Sequence, residues 1–523
     1  MASTARKSVD PRHRILKIPP VFHESKTRVH DVIAHGMGYQ INVHTSCICN
    51  ELVALTNRHL VDRTYIPFDK RLWARISHST ERFYPRELRP VAYEDVIRGY
   101  SGAKKRSYHN AMVELRQFGL QPKHMMVKMF VKPDRYPVGD IEGKDPRAIQ
   151  YRSPHFNLAM GSYIKSFEEE IYSTIHYNVV SRTRVIAKGL NNYQRAELFL
   201  NKVEHFRNPR FVLLDHSRFD STINVDHLKS THRKYQRAFK SRQLYHLCRA
   251  QLHNTGYSKF GIKYRTKGTR MSGDCDTACG NSVINGDVLY GFLTESGVEK
   301  YDIILDGDDS VVIVEATDIE KLDYTLFGRM GFDTKHEVVK DIDEVEFCQC
   351  KIILAQQPVW VRNPARVLSH SSVSRKKFAN KTYERWLSAV GQCEVASNRG
   401  VPVVQAYGEQ LAALSDKPLV DDELRYRWEA YPTRSSLPVL ADARDTFALC
   451  FGVHHEIQLL MEQHDYTANA FCSKIIGTEY EQFRVASVNR RIWSLAQLTP
   501  EFSGGCWWSS SQTRGQYPGQ CSI

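Results

Sequence analysis

Cysteine is scarce, with 12 in 523 residues, too dilute for a disulfide framework, so reduced thiols are expected. Neither Cys47-Ile48-Cys49 beside His44 nor Cys348-Gln349-Cys350 near His336 has a second ligand pair at zinc-finger distance, which argues against a structural zinc module. No stretch approaches 18 uninterrupted apolar residues, so no bilayer-spanning helix is expected. Met1 to Lys17 carries Arg6, Lys7, Arg12 and Arg14 without the apolar run of a secretory signal. Internal repeats are absent too, which excludes solenoids and arrays.

What the chain does have is positive charge. Against 58 Asp and Glu stand 72 Lys and Arg, a net charge of +14 with a pI near 9.1. A polyanion is the natural partner, and nucleic acid the leading one; composition alone leaves room for a basic enzyme or a membrane-surface protein. Apolar residues at 42% and charged residues at 25% are ordinary globular usage and exclude collagen, coiled coil and a wholly disordered chain. At roughly 150 residues per domain the length predicts about three to four units.

The first thirty or so residues, basic and marked by Pro11, Pro19 and Pro20, read as an extended arm. From Tyr100 to Arg135 basic residues interleave with Tyr108, Phe118 and Phe130, a pattern compatible with a groove along a phosphate backbone or with a solvated face. Apolar residues have helical spacing over Tyr163–Tyr172, Tyr193–Val203 and Val225–His253. Phe211–Leu214, Ile303–Leu305 and Val311–Val314 are short apolar runs suited to buried strands. From about Pro358 helical patterns alternate with proline-marked turns, and the Gly/Ser/Gln-rich tail from Ser503, with its Trp507-Trp508 pair, reads as disordered.

Gly307-Asp308-Asp309 lies between two of the apolar runs, so a hairpin with acids at its tip is predicted. With Asp306 this makes three acids in a row, costly near buried strands unless a cation lies against them, and a divalent metal is the economical partner. Asp215 ends another strand, and Asp220 follows across a short loop. If the two strands are neighbours, Asp215 and Asp308 meet at one edge and can hold two Mg²⁺ ions about 3.5 to 4 Å apart, as phosphoryl transfer requires. Between them, Gly268 to Asn281 runs as a polar loop into a helix extending to about Leu293. Thr277 and Asn281 are four apart and share a helix face, with Ser272-Gly273 just before the helix; Ser272 also suits an N-cap. A hydroxyl and an amide beside the carboxylate of Asp220 suit a ribose 2′-hydroxyl, which both donates and accepts.

The ordered set Asp215-x4-Asp220, Ser272-Gly273-x3-Thr277-x3-Asn281 and Gly307-Asp308-Asp309 resembles motifs A, B and C of the RNA-dependent RNA polymerases of positive-strand RNA viruses. Lys128 to Pro133 and Lys144 to Arg152 are similar to the basic motif F, Gly331 to Lys335 to motif D, and Glu346 to Cys350 to motif E. Lys188-Gly189-Leu190-Asn191 and Val361-Arg362-Asn363-Pro364 resemble patterns of the tombusvirus-like branch. The likeness covers roughly residues 120–414; Asp134, Asp140 and Glu142 intrude into the basic motif.

The resemblance implies an α+β, right-hand polymerase fold of fingers, palm and thumb, with an antiparallel palm sheet and a mostly helical thumb. It implies an N-terminal extension with part of the fingers over 1–119, fingers over 120–210, palm over 211–355 with a fingers insertion at about 225–265, thumb over 356–490 and a tail over 491–523. Catalysis would fall to Asp215, Asp308 and Asp309 as metal ligands and to Lys335 as general acid, with Lys340 its rival. Nucleotide binding would fall to Lys128, Lys132, Arg147 and Arg152 for the triphosphate, and to Asp220, Ser272, Gly273, Thr277 and Asn281 for the ribose. Mg²⁺, or Mn²⁺ in its place, would be the cofactor; template and product RNA, ribonucleoside triphosphates and viral or host replication proteins would be the partners. The implied location is the host cytoplasm, at membrane-associated replication complexes to which other factors bring the chain. Two other readings stand beside this one: a non-catalytic RNA-binding replication scaffold, and a reverse transcriptase, against which Asp220 stands where such enzymes have a bulky ring.

Overall fold

Helices and two principal sheets alternate along the chain. The computed structural model describes residues 7–20, 27–31, 41–141, 143–467 and 472–476. In chain order the strands that build the site are Arg14–Lys17 (β1), Val127–Val131 (β2), Ala148–Tyr151 (β3), Pro209–His216 (β4), His253–Ser258 (β5) and Lys263–Lys267 (β6). Tyr301–Asp306 (β7), Asp309–Glu315 (β8) and Thr334–Val339 (β9) complete them. The principal helices are Gly102–Phe118 (α1), Pro154–Thr174 (α2), Asn192–Val203 (α3), Val225–Phe239 (α4), Arg242–Leu252 (α5) and Thr277–Glu295 (α6).

One sheet, in the order β7-β8-β4-β9, is antiparallel throughout. Its apolar runs are buried on both faces, and the period-2 alternation of a strand sorts them between two cores. Val212, Leu214, Ile303, Leu305, Val312 and Val314 face the larger core, which takes in α6. Phe211, Ile304, Val311 and Ile313 face a second one, with Phe199 of α3 and Trp360. The α6 helix is buried along its whole length from Cys279 to Leu293, so it lies as a rod behind the sheet and projects its polar side chains into fixed surroundings.

The other sheet has five strands in the order β1-β6-β5-β2-β3. After Asp220 the chain leaves the four-stranded sheet, forms α4 and α5, and supplies β5 and β6 to this second one. Helices of the last third gather in a separate core around Trp386, Leu387, Tyr407 and Phe447.

Three expectations are corrected. Residues 7–20 are not a free arm: β1 pairs with β6, and Asp10, neutralised by Arg12 at 2.6 Å, is buried. The helical stretch from Val225 is two helices, because Lys240 turns left-handed at φ 49° and Ser241 starts the next by accepting from the Leu244 amide at 3.3 Å. The Tyr100–Arg135 cluster is divided: Lys104, Lys105 and Arg106 lie on the solvated side of α1, Lys104 resting 3.9 Å from the Tyr100 ring centre, while Lys128 belongs to β2. The tail read as disordered, with Trp507-Trp508, lies outside the described residues.

Candidate active site

Strand register brings the sequence-selected acids together. Leu214 of β4 pairs with Ser310 of β8, so Asp215, the next residue of β4, stands beside the Gly307-Asp308 turn that joins β7 to β8. On the other side of β4, Lys335 of β9 is the register partner of Asp215, and directly paired residues point to the same face. Asp308, Asp215 and Lys335 thus occupy three adjoining strand ends. Lys340 follows Val339, the partner of Phe211, which places it roughly 16 Å down the sheet at about 3.3 Å per residue.

The tip is held from behind by α6. Asn285 donates to the carbonyls of Gly307 and Asp308 at 3.0 and 3.2 Å, and its Oδ1 lies 3.1 Å from Nε2 of His216. His216 in turn meets Thr334 of β9 through Nδ1 at 2.8 Å, and Ser282 accepts from the Gly307 amide at 3.2 Å. Gly307 has φ +71°, a conformation that a side chain would strain. Burial holds the His216 imidazole down at about 4, so it is a neutral linker at physiological pH.

Three consecutive carboxylates need compensation, and one receives it within the chain. Asp306 is paired with both Lys188 and Arg195. The segment carrying Lys188 is fastened to the sheet edge by Ala187 donating to Leu305 at 2.7 Å and Leu305 donating to Val185 at 2.9 Å. Asp308 and Asp309 are exposed, Asp308 in the lining of a pocket. Loss of surrounding water, and then the nearby carboxylates, hold the Asp308 carboxyl above the usual range and push Asp309 up to about 7. The Cys348 thiol bonds to Asp309 and favours its ionised form.

Beside the acids lies a pocket whose lining includes Arg58, Lys132, Arg147 and Arg218 as cations, with Asp220 and Asp308 facing them. Asn281 donates Nδ2–H to Asp220 at 2.8 Å. Burial raises Asp220 to about 6, against the lowering effect of that bond. The Oδ1 of Asn281 is buried with no partner, as are Nε and Nη2 of Arg270, and Arg270 lines the same pocket. Buried polar atoms are mostly bonded, so orphans beside a pocket are where a water or a ligand group would complete the bonding.

The loop before α6 is stapled to β3. Ser272 accepts from the Gln150 amide and donates to the Ala148 carbonyl, both at 3.2 Å, and the Gly273 amide donates to Gln150 at 2.6 Å. A Cβ at Gly273 would stand 2.7 Å from that carbonyl oxygen, so only glycine allows the approach. Ser272 lines the pocket; Thr277 instead donates to the Met271 carbonyl at 2.7 Å and closes the loop. Ser272 is not the N-cap, a position taken by Asp276.

Two of the basic residues expected at the triphosphate are elsewhere. Arg152 is fully buried, paired with Asp274 at 3.0 Å and bonded to Met125 and Asn254; the desolvation of a guanidinium required an internal carboxylate, and Arg152 has become part of the packing. Lys128 is exposed on β2 about 13 Å short of Lys132 along the strand, and does not line the pocket that Lys132 lines. Arg147 and Lys132 do reach the pocket and share Asp134, at 2.5 and 3.1 Å, so this intruding acid holds both cations in place.

The donor set suits a hard cation: Asp215, Asp308 and Asp309 offer carboxylate oxygens only. Among the described residues, the one group of three possible ligands that closes to within 4.8 Å is Glu114, His124 and His155. One nitrogen of each histidine is bonded, Nδ1 of His124 accepting from the Gln121 amide and Nε2 of His155 meeting Glu114 at 2.9 Å, while Nε2 of His124 and Nδ1 of His155 are buried without a partner. Neither cysteine pair gathers a metal set there.

Sequence reasoning missed Asn285, Arg58, Arg218, Lys188 and Arg195. Asn285 was within reach, since it continues the Thr277-x3-Asn281 spacing by one more turn. Arg218 lies inside the Asp215-x4-Asp220 stretch and Lys188 inside Lys188-Gly189-Leu190-Asn191, though neither pattern assigned it this role, and Arg58 and Arg195 come from other segments.

The sequence model of the family described as viral RNA dependent RNA polymerase matches residues 16–471. Among curated relatives, the RNA-directed RNA polymerase of Tobacco necrosis virus (strain A) is 32% identical over 75% of this chain and 56% of its own length. That of Red clover necrotic mosaic virus is 27% identical over 89% of this chain and 64% of its own length, and that of Turnip crinkle virus 30% over 73% and 51%. The chain thus spans between about half and two thirds of the length of these relatives. With the match running through nearly all of the described residues, the chain belongs to the viral RNA-dependent RNA polymerases, in their tombusvirus-like branch.

Proposed function

We propose that the chain synthesises RNA on an RNA template by nucleotidyl transfer from ribonucleoside triphosphates. The observation that carries this reading is the meeting, at one end of the sheet, of Asp215, Asp308 and Lys335, with Asp220, bonded by Asn281, lining the adjoining pocket. In this reading the four-stranded sheet is the palm, the five-stranded sheet with its helices the fingers, and the helical unit from about residue 356 the thumb.

Asp215 and Asp308, with Asp309 beside them, would hold Mg²⁺, or Mn²⁺ in its place, which supplies charge stabilisation at the 3′-hydroxyl and the phosphoryl oxygens. The chain's own groups do the rest. Arg147, Lys132, Arg58 and Arg218 take the triphosphate, Arg147 and Lys132 exchanging Asp134 for phosphate oxygens. Asn281 accepts the ribose 2′-hydroxyl on its free Oδ1, while Asp220 fixes the amide's orientation. As the 3′-hydroxyl releases its proton to solvent and its oxygen bonds the α-phosphorus, the bond from that phosphorus to the oxygen bridging the β-phosphate breaks, and Lys335 gives the leaving pyrophosphate a proton from Nζ. Asn285 and His216 keep the two strand ends in register.

No helix among the described residues is long and apolar enough to cross a membrane; placement at membrane-associated replication complexes in the host cytoplasm would depend on other viral or host proteins. The test is incubation of the protein with a short RNA template, four ribonucleotides and Mg²⁺, beside Asp308→Ala. Complementary product from the unmutated chain alone supports the reading. Tight RNA binding without product from either, also in the presence of membranes and the other replication proteins, would favour a scaffold instead.

A further inference from the structure

Three segments that are separate in sequence meet at one polar cluster. Glu114 lies near the end of α1, His124 in the short helical turn Pro122–Met125 that leads into β2, and His155 in the first turn of α2, shortly after β3. A carboxylate oxygen of Glu114 and one ring nitrogen of each histidine all lie within 4.8 Å of one another. None of the three residues lines the catalytic pocket. No local pattern marks the cluster, because its members stand 10 and 31 residues apart.

The two histidines are held in place by the chain itself. Their rings stack with centres 3.9 Å apart and planes 8° from parallel, which sets ring nitrogens side by side. Ser153 caps α2 by accepting from the Phe156 amide at 3.3 Å and donates to the His124 carbonyl at 3.0 Å, while Arg152 donates to the carbonyl of Met125. Nε2 of His155 meets Glu114 at 2.9 Å, and Nδ1 of His124 accepts from the Gln121 amide at 3.2 Å. Nε2 of His124 and Nδ1 of His155 are buried and bonded to nothing, an uncommon state for polar atoms in a packed interior. His124 is 5% exposed, whereas the Glu114 side chain is 51% exposed. The imidazoles thus form a buried floor and the carboxylate a rim open to water.

We infer that Glu114, His124 and His155 form a second metal site, which takes Zn²⁺ on Nε2 of each histidine and a Glu114 oxygen, with water as the fourth ligand. Two imidazoles and one carboxylate are a zinc donor set. They are softer than the all-oxygen set of the catalytic acids, so the two sites select different metals. Bonds of about 2.0 to 2.2 Å draw the three atoms closer than they now stand, through rotation of the half-exposed Glu114 and a tilt of the two rings. A neutral imidazole carries its proton on one nitrogen, so coordination through Nε2 leaves it on Nδ1 in both rings. His124 gives up the Gln121 bond in exchange, and no proton is released. The ion would pin α1 and α2 to the start of β2 and the end of β3, the paired strands flanked by Lys132 and Arg147 of the pocket. The site stands independently of the polymerase reading.

The experiment uses the full chain, stripped with a chelator and returned to Mg²⁺ so that the catalytic acids are supplied. Zn²⁺ is titrated against a chromophoric chelator and Co²⁺ is followed by its visible d–d absorption, with thermal melts in parallel. A single equivalent of Zn²⁺ should bind, raise the melting temperature and displace Co²⁺ from a site whose bands report nitrogen ligation. His124→Gln and His155→Gln should each weaken Zn²⁺ binding by about a hundredfold or more, since loss of a mere outer partner of a ligand already costs about 10- to 100-fold. Glu114→Ala, at the exposed rim, should weaken it by about tenfold or more, and Asp308→Ala should bind Zn²⁺ as the unmutated chain does. Absence of Co²⁺ bands in the unmutated chain would overturn the site. So would a Zn²⁺ affinity that Glu114→Ala and the histidine variants leave unaltered, the mark of an adventitious ion only, or one abolished by Asp308→Ala, which would place the ion at the catalytic acids. If the histidine variants melt abnormally, Glu114→Ala and the Co²⁺ spectrum of the unmutated chain decide.

Discussion

Asn281 is bonded to Asp220 through Nδ2 at 2.8 Å and keeps its Oδ1 buried without a partner. An amide locked at one end and vacant at the other is preset to accept a hydroxyl, because Asp220 prevents it from flipping. Asn281→Ala should therefore lower the preference for ribo- over deoxyribonucleotides by about tenfold or more, since a site built to bond a hydroxyl rejects substrates lacking it. Comparing kcat/KM for matched rNTP and dNTP pairs checks this; an unaltered ratio would remove Asn281 from ribose selection.

Lys335 is the partner of Asp215, whereas Lys340 stands far down the sheet. Lys335→Met should reduce kcat by roughly 10²- to 10⁴-fold, the range for general acid catalysis, and leave the nucleotide KM nearly unchanged. The same change at Lys340 should do little. Steady-state kinetics of the two variants decides between them, and the opposite ranking would reassign the role.

Asp306 is compensated by Lys188 and Arg195. Removing both cations in Lys188→Met with Arg195→Met leaves three adjacent acids unbalanced, at a cost of roughly 3 kcal/mol by analogy with buried pairs that lose one partner. Adding Asp306→Asn should recover most of that stability in a denaturant melt. Absence of recovery would mean that the cations act through packing.

Arg152 lies among buried groups with Asp274 as its counterion. Arg152→Met should lower stability by about 3 to 5 kcal/mol. In whatever fraction remains folded, nucleotide KM should stay as it was. A raised KM with an intact melt would return Arg152 to the triphosphate site.

Glu168, bonded by the Tyr172 hydroxyl at 3.0 Å, is pushed up to about 7, first by burial and also by Asp276. Its folded value exceeds the ordinary 4.5, so the folded state binds more protons between those limits. The stability it contributes is complete below about 4.5 and is lost as pH rises through about 7. Glu168→Gln should accordingly gain stability relative to the unmutated protein as pH rises over that window, with no further change above it. Melts at pH 5, 6, 7 and 8 test the sign; a difference that is flat or falls with pH would refute it.

Much of this molecule was legible along the chain. Apolar runs flanking Gly307 and ending at Asp215 predicted the strands, because a buried strand needs consecutive apolar residues and an acid ends it at solvent. The spacing of Thr277 and Asn281 predicted a shared helix face, since 3.6 residues per turn hardly allows otherwise. Those local periodicities, with net charge and motif order, were decided by the sequence by itself.

Charge alone did not say where a cation would stand. Arg152 and Lys128 read like Arg147 and Lys132, yet one is an internal counterion, one faces outward on a strand, and only the latter two line the pocket. Arg58, Lys188 and Arg195 joined the site unassigned for the same reason. Periodicity fixes which face of its own element a residue occupies; what that face meets is set by register between strands and by packing between elements hundreds of residues apart, and those contacts exist only once the chain is folded.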